Sequence, residues 1–178
     1  MKGKLLMKYG LTGSRRKLTE DAEREIEDEI ESLLSRGHRI SMAVARGFGA
    51  KALAQLLQNN SDDVHNVQVV LPTDLDTYAD YYLDQASDYD ISDEDANKFV
   101  GNLRQLQKIN PDAVKELSYK TCTDDAFNAC NQAVVDETET VIAYHIDGSP
   151  LVEKAITYAR DHDKKVIVKT YQTLKFAA

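Results

Sequence analysis

The sequence predicts an α/β fold, a doubly wound and mainly parallel sheet of about five strands with a helical insertion. Three observations predict it. Apolar runs of strand length alternate with segments whose apolar residues recur at helical spacing. Glycine-bearing turns follow several of those runs and lead into the helices. The chain of 178 residues is the size of one domain, and no linker divides it.

The first strand is expected over Leu5–Leu11, ending in the loop Thr12-Gly13-Ser14-Arg15-Arg16. Thr19 then caps a helix whose first turn holds Glu20, Asp21 and Glu23, where carboxylates complement the helix dipole. Ala22, Ile26, Ile30, Leu33 and Leu34 form its apolar stripe, and Gly37 stops it. Arg39–Val44 reads as the second strand and Arg46-Gly47-Phe48-Gly49 as a turn. Ala50, Leu53, Ala54 and Leu57 supply the inner face of a second helix. Val67–Leu71 is the third strand, closed by Pro72.

From about Thr73 to Thr123 the rhythm breaks. Tyr78, Tyr81, Tyr82 and Tyr89 stand among many acids, and Ser92 opens a helix with Ala96, Phe99, Val100, Leu103 and Leu106 inward. Asn110-Pro111-Asp112 looks like another helix start, with proline at the first position. This stretch is read as a helical elaboration of the same domain. Alternation resumes with a helix from Thr123 to Asp136, a strand over Thr140–Tyr144 and a loop over His145–Gly148. Ser149 caps the next helix, Pro150 begins it, and Lys165–Val168 is the final strand.

Composition narrows the function. The 42% hydrophobic and 29% charged fractions are ordinary for a soluble globular protein. No apolar run approaches a membrane span, and Lys8 ends the N-terminal run too early for a signal peptide. Net charge is −8, which disfavours generic duplex-DNA binding but leaves room for a local anion pocket. Cys122 and Cys130 lie about 12 Å apart if helical, too far for a disulfide. Unpaired thiols predict a reducing, cytoplasmic setting. His38, His65, His145 and His162 are scattered and form no zinc spacing. On a helix, Asp76, Asp80, Asp84 and Asp88 would share one face, read as solvated rather than as a cation site.

Ligands of open parallel sheets bind beyond the carboxyl ends of the strands. Three loops fall there: Gly13-Ser14-Arg15-Arg16, Arg46-Gly47-Phe48-Gly49 and Asp147-Gly148-Ser149. Glycine lets backbone approach an anion, helix N-termini offer N–H groups, and arginine adds charge-assisted hydrogen bonds. Ser14 and Ser149 add hydroxyl donors.

The ordered set resembles the SLOG superfamily, which includes DprA-type DNA-processing proteins, LOG-type phosphoribohydrolases and YpsA-type small proteins. Tyr9-Gly10-Leu11-Thr12-Gly13-Ser14-Arg15 is similar to its strand ending in Gly-Ser-Arg. Ile40–Ala54 is similar to its strand, small-residue turn and helix, although Ala43 and Gly49 replace a common glycine and aspartate. Val69–Pro72, Phe127–Asp136, Val141–Tyr144, Gly148-Ser149 and Val166–Val168 continue the order. The chain looks closest to the YpsA-type branch.

The resemblance implies a Rossmann-like sheet that binds or senses a nucleotide or nucleotide-derived small molecule, with no cofactor required. Phosphate is expected at Gly13, Ser14, Arg15, Arg46, Gly47, Gly49, Asp147, Gly148 and Ser149, with base or ribose near Phe48, Asp74 and Asn131. One alternative is hydrolysis of a nucleotide N-glycosidic bond, as in the LOG-type members. Its candidate carboxylates are Glu153 and Asp147, although Glu153 stands one residue later than the family's glutamate. A second alternative is DprA-type interaction with single-stranded nucleic acid, which the negative charge opposes. The resemblance also implies a homodimer as a common state.

Overall fold

The computed structural model describes residues 5–58 and 63–173, so Met1–Lys4 of the basic N-terminal stretch lie outside the described residues. Leu11, Ile40, Met42, Val69, Val70, Val141 and Ile142 are buried strand residues. Such strands need cover on both faces, and helices provide it. The strands are β1 (Lys8–Gly13), β2 (Arg39–Ala43), β3 (Val67–Leu71), β4 (Val114–Glu116), β5 (Thr140–Ile146) and β6 (Lys165–Tyr171). They form one parallel sheet in the order β4-β3-β2-β1-β5-β6.

The helices are α1 (Glu20–Ser35), α2 (Phe48–Gln58), α3 (Leu75–Gln85), α4 (Asp93–Ile109), α5 (Asp124–Asp136) and α6 (Pro150–Asp161). α1 packs on α2, α2 on α4 and α4 on α3, while α5 and α6 pack together. α5 lies against β1, β2 and β3, and α6 against β5 and β6. Thr19, Asp74, Ser92 and Thr123 each cap a helix by accepting a backbone N–H. None of the described helices is long and apolar enough to cross a membrane.

Several boundaries differ from the sequence reading, each for a local reason. The sheet has six strands rather than five. Asn110-Pro111-Asp112 opens no α-helix; a 3₁₀ turn over Pro111–Ala113 leads directly into β4. Three residues are too few to show a strand period. β1 begins only at Lys8, and Leu5 and Leu6 are exposed. β5 runs on to Ile146, so His145 is a strand residue rather than a loop residue.

α2 starts as early as Phe48, because Gly47 turns the chain at φ +73°. Its inner stripe is therefore Phe48, Gly49, Ala52, Leu53 and Leu56, leaving Ala54 and Leu57 half-buried. α3 ends at Gln85, so Asp88 does not share its acidic face. Asp76 on that face pairs with Arg104, and the described residues include no metal-ligating cluster. The tyrosines pack the elaboration onto the sheet. Tyr78 is buried among Tyr81, Tyr82, Phe99 and Phe127, and its hydroxyl donates to the Val44 carbonyl at 2.7 Å.

Three outcomes follow from this packing. A Cβ on Gly13 would lie 2.3 Å from Cγ of the buried Phe48. Gly13→Ala is expected to cost about 1–3 kcal/mol in chemical denaturation. Gly101→Ala, in open space on α4, is expected to gain about 0.5–1 kcal/mol. Burial pushes the Cys130 thiol up to about 12, whereas Cys122 is only half-buried. A thiol reagent at about pH 8 should therefore modify Cys122 in the native protein and Cys130 only after unfolding.

Candidate functional site

The chain winds outward from β1 through β2, β3 and β4 on one side and through β5 and β6 on the other. The carboxyl ends of β1 and β5 thus meet at a topological switch point, where such sheets hold ligands. Gly13 ends β1 there, and the fully buried Ser14 follows it. The Ser14 N–H donates to the Tyr144 carbonyl at 3.0 Å, and its hydroxyl accepts from the Ile146 N–H at 2.9 Å. The Ser14 carbonyl in turn accepts from the Phe48 N–H at 3.1 Å. A Cβ on Gly47 would sit 2.6 Å from the carbonyl oxygens of Ser14 and Arg16. The loops after β1 and β2 therefore touch backbone to backbone, and this contact brings Arg15 and Arg46 to one cleft.

The cleft holds about 500 Å³ and is walled by Arg15, Arg16, Lys17, Arg46, Gly47, Tyr89, Asp90 and Ile91. The Arg15 guanidinium lies over the Phe127 ring at 5.2 Å and pairs with the exposed Asp124 at 3.0 Å. The Arg46 guanidinium lies over the Tyr89 ring at 3.3 Å. Arg46 is half-buried and has no ion-pair partner among the described residues. Burial draws its pKa below the ordinary arginine value, and the neighbouring Arg15 charge adds to this. A partly desolvated cation beside a second cation is stabilised by a bound anion. α2, which starts at the cleft, has no acidic residue in its first turn, so its dipole adds to the positive field.

The structure separates the predicted site residues into groups. Arg15, Arg46 and Gly47 line the cleft. Gly13, Ser14, Phe48 and Gly49 support it from behind. Phe48 is buried and stacks on Tyr144, and a Cβ on Gly49 would approach Val44 Cα to 2.8 Å. The remaining candidates do not line the cleft. Asp74 caps α3, accepting from the Thr77 N–H and hydroxyl, which hold its carboxyl below the ordinary range. Asn131 is buried on α5 and accepts from the Thr12 hydroxyl at 3.1 Å.

Asp147 adopts φ +49° and accepts from the Thr173 N–H and hydroxyl, tying the loop after β5 to the end of β6. Ser149 holds the N-cap position of α6, but its side chain makes no capping hydrogen bond. Gly148 supplies a left-handed turn at φ +69°. Glu153 lines a separate groove between α5 and α6, and its Oε1 lies 3.5 Å from His145 Nε2.

Lys17, Tyr89, Asp90 and Ile91 are cleft residues that the sequence reading missed as ligand groups. Tyr89 is brought there by a 3₁₀ turn over Ser87–Tyr89 and a left-handed Asp90. Nothing in the local sequence around Tyr89 marks it as facing Arg46.

The buried Ser14 hydroxyl yields a stability test. Ser14→Ala leaves the Ile146 N–H without its partner, at an expected cost of about 1–3 kcal/mol in thermal or chemical unfolding.

No family model and no curated protein matches the chain. Among solved structures, it is similar to DNA processing protein A of Helicobacter pylori, described by its single-stranded DNA binding mode. That match has a TM-score of 0.63 at 17% identity and covers 91% of this chain and 64% of the other. It is also similar to DNA processing protein A of Streptococcus pneumoniae, with a TM-score of 0.57 at 17% identity, covering 92% of this chain and 50% of the other. The chain thus spans less than two-thirds of either protein. The likeness establishes a shared Rossmann-like fold, the fold expected from the SLOG resemblance, while no match singles out the YpsA-type branch.

Proposed function

We propose that the protein binds single-stranded nucleic acid, holding a backbone phosphate between Arg15 and Arg46. The observation that carries this reading is the half-buried Arg46, beside a second arginine and in no ion pair among the described residues. An incoming phosphate supplies that missing negative charge through charge-assisted hydrogen bonds. The exposed Tyr89 and the arginines over aromatic rings provide the mixed cationic and aromatic surface that single strands use. The fold shared with a protein described by single-stranded DNA binding supports the polymer over a free nucleotide. A net charge of −8 favours a second reading, in which the same cleft takes a free nucleotide with fewer phosphates to repel. Glu153 lies in another groove, so neither reading includes a hydrolytic step.

Titration of a labelled oligothymidylate by fluorescence anisotropy at low salt tests the proposal. Arg46→Ala should weaken binding about tenfold or more, the usual worth of a charge-assisted contact. Arg104→Ala, which removes an exposed pair with Asp76, should change it less than about twofold. Equal affinities for the wild type and Arg46→Ala would refute the proposal. Binding of nucleoside monophosphates but not of the oligonucleotide would select the second reading.

A further inference from the structure

The cleft does not end at Arg46. A second hollow of about 340 Å³ adjoins it between α1, α2 and α4, and Lys17, Gly47, Asp90 and Ile91 border both. Its chemistry differs from that of the arginine cleft. Leu18, Ala50, Ala54 and Ile91 present half-buried apolar surface along its floor. Around this floor, Lys17, Lys51 and Lys98 are balanced by Glu23, Asp90 and Asp95, and Lys51 is already paired with Glu27. A phosphate gains little from a rim whose charges cancel. An uncharged, flat, partly apolar group with both donors and acceptors fits it better, and Asn102 adds a side chain able to do both.

We infer that this hollow is the base pocket of the phosphate cleft. It takes the nucleobase of the unit whose phosphate lies between Arg15 and Arg46, and the inference rests on that reading. Base and phosphate thus separate onto neutral and cationic surfaces that meet at Gly47 and Asp90. The assignment replaces the expected base position near Phe48, Asp74 and Asn131, which the structure places in the core, at the α3 cap and on α5.

The test uses two matched probe pairs on the full chain. One is an oligothymidylate against an abasic strand of equal length, and the other is thymidine monophosphate against deoxyribose 5-phosphate. The wild type should prefer the base-bearing member of the pair it binds by about tenfold, from the apolar area the base buries. The strand pair and the monophosphate pair together distinguish a polymer from a free nucleotide. Ala54→Trp fills the hollow from the α2 surface. It should reduce the preference to less than about twofold while leaving affinity for the base-free member unchanged. Asn102→Ala, which removes only hydrogen-bonding groups, should reduce it partly and guards against misfolding of the larger variant. An unchanged preference in both variants, or equal wild-type affinity for both members, would overturn the inference while the phosphate reading stood. Unaltered binding of the base-free probe by Arg46→Ala would instead overturn the phosphate reading, and this inference with it.

Discussion

The backbone contact between Gly47 and the Ser14–Arg16 loop governs what the carboxyl edge of the sheet can do. Ser14 is pinned from one side by β5, through its N–H and its hydroxyl, and from the other by the first N–H of α2. Gly47 closes the contact, because any Cβ there would strike two carbonyl oxygens and require an unfavourable φ. Gly47 and Gly49 bring protein backbone against protein backbone, Gly13 makes room for the Phe48 side chain, and Gly148 supplies a left-handed turn in open space. The positive charge arrives as a consequence of that contact, on the residues flanking it.

That arrangement bears on how an acidic protein would hold the proposed anion. The acidic faces of α1 and α3 lie on the molecular surface, where the solvent screens them over about 10 Å at ordinary ionic strength. Arg46 is half-buried, so its field is screened less, and Arg15 reinforces it. The aromatic rings of Phe127 and Tyr89 orient the two guanidinium groups without neutralising them. Asp124 and Asp90 are the local counterweights, but Asp124 is exposed and pairs with Arg15, and Asp90 faces Arg15, Arg16, Lys17 and Arg46 on the cleft wall. The cleft thus stays cationic at short range within a molecule that is negative at long range.

Long periodic elements were legible in the sequence because burial enforces their periods. The α1 stripe of Ala22, Ile26, Ile30, Leu33 and Leu34 and the α4 stripe of Ala96, Phe99, Val100, Leu103 and Leu106 are buried as expected. β4 was illegible because three edge residues carry no period. The arginines of the candidate site were legible through their position in glycine-bearing loops that follow strand ends. Tyr89 was not, since only the tertiary placement of the turn after α3 sets it beside Arg46, and Lys17 was passed over one residue beyond the Gly13–Arg16 loop. Phe48 and Asn131 do not line the cleft for the converse reason: the first residue of α2 and a mid-helix residue of α5 both turn inward.

The most direct test of the account is an NMR titration that follows the arginine Nε–H resonances as an oligothymidylate is added. The account predicts that the Arg15 and Arg46 signals move together and saturably, while those of Arg24, Arg104 and Arg160 stay in place. Saturable binding that leaves Arg46 unmoved, or that shifts the surface arginines equally, would contradict it.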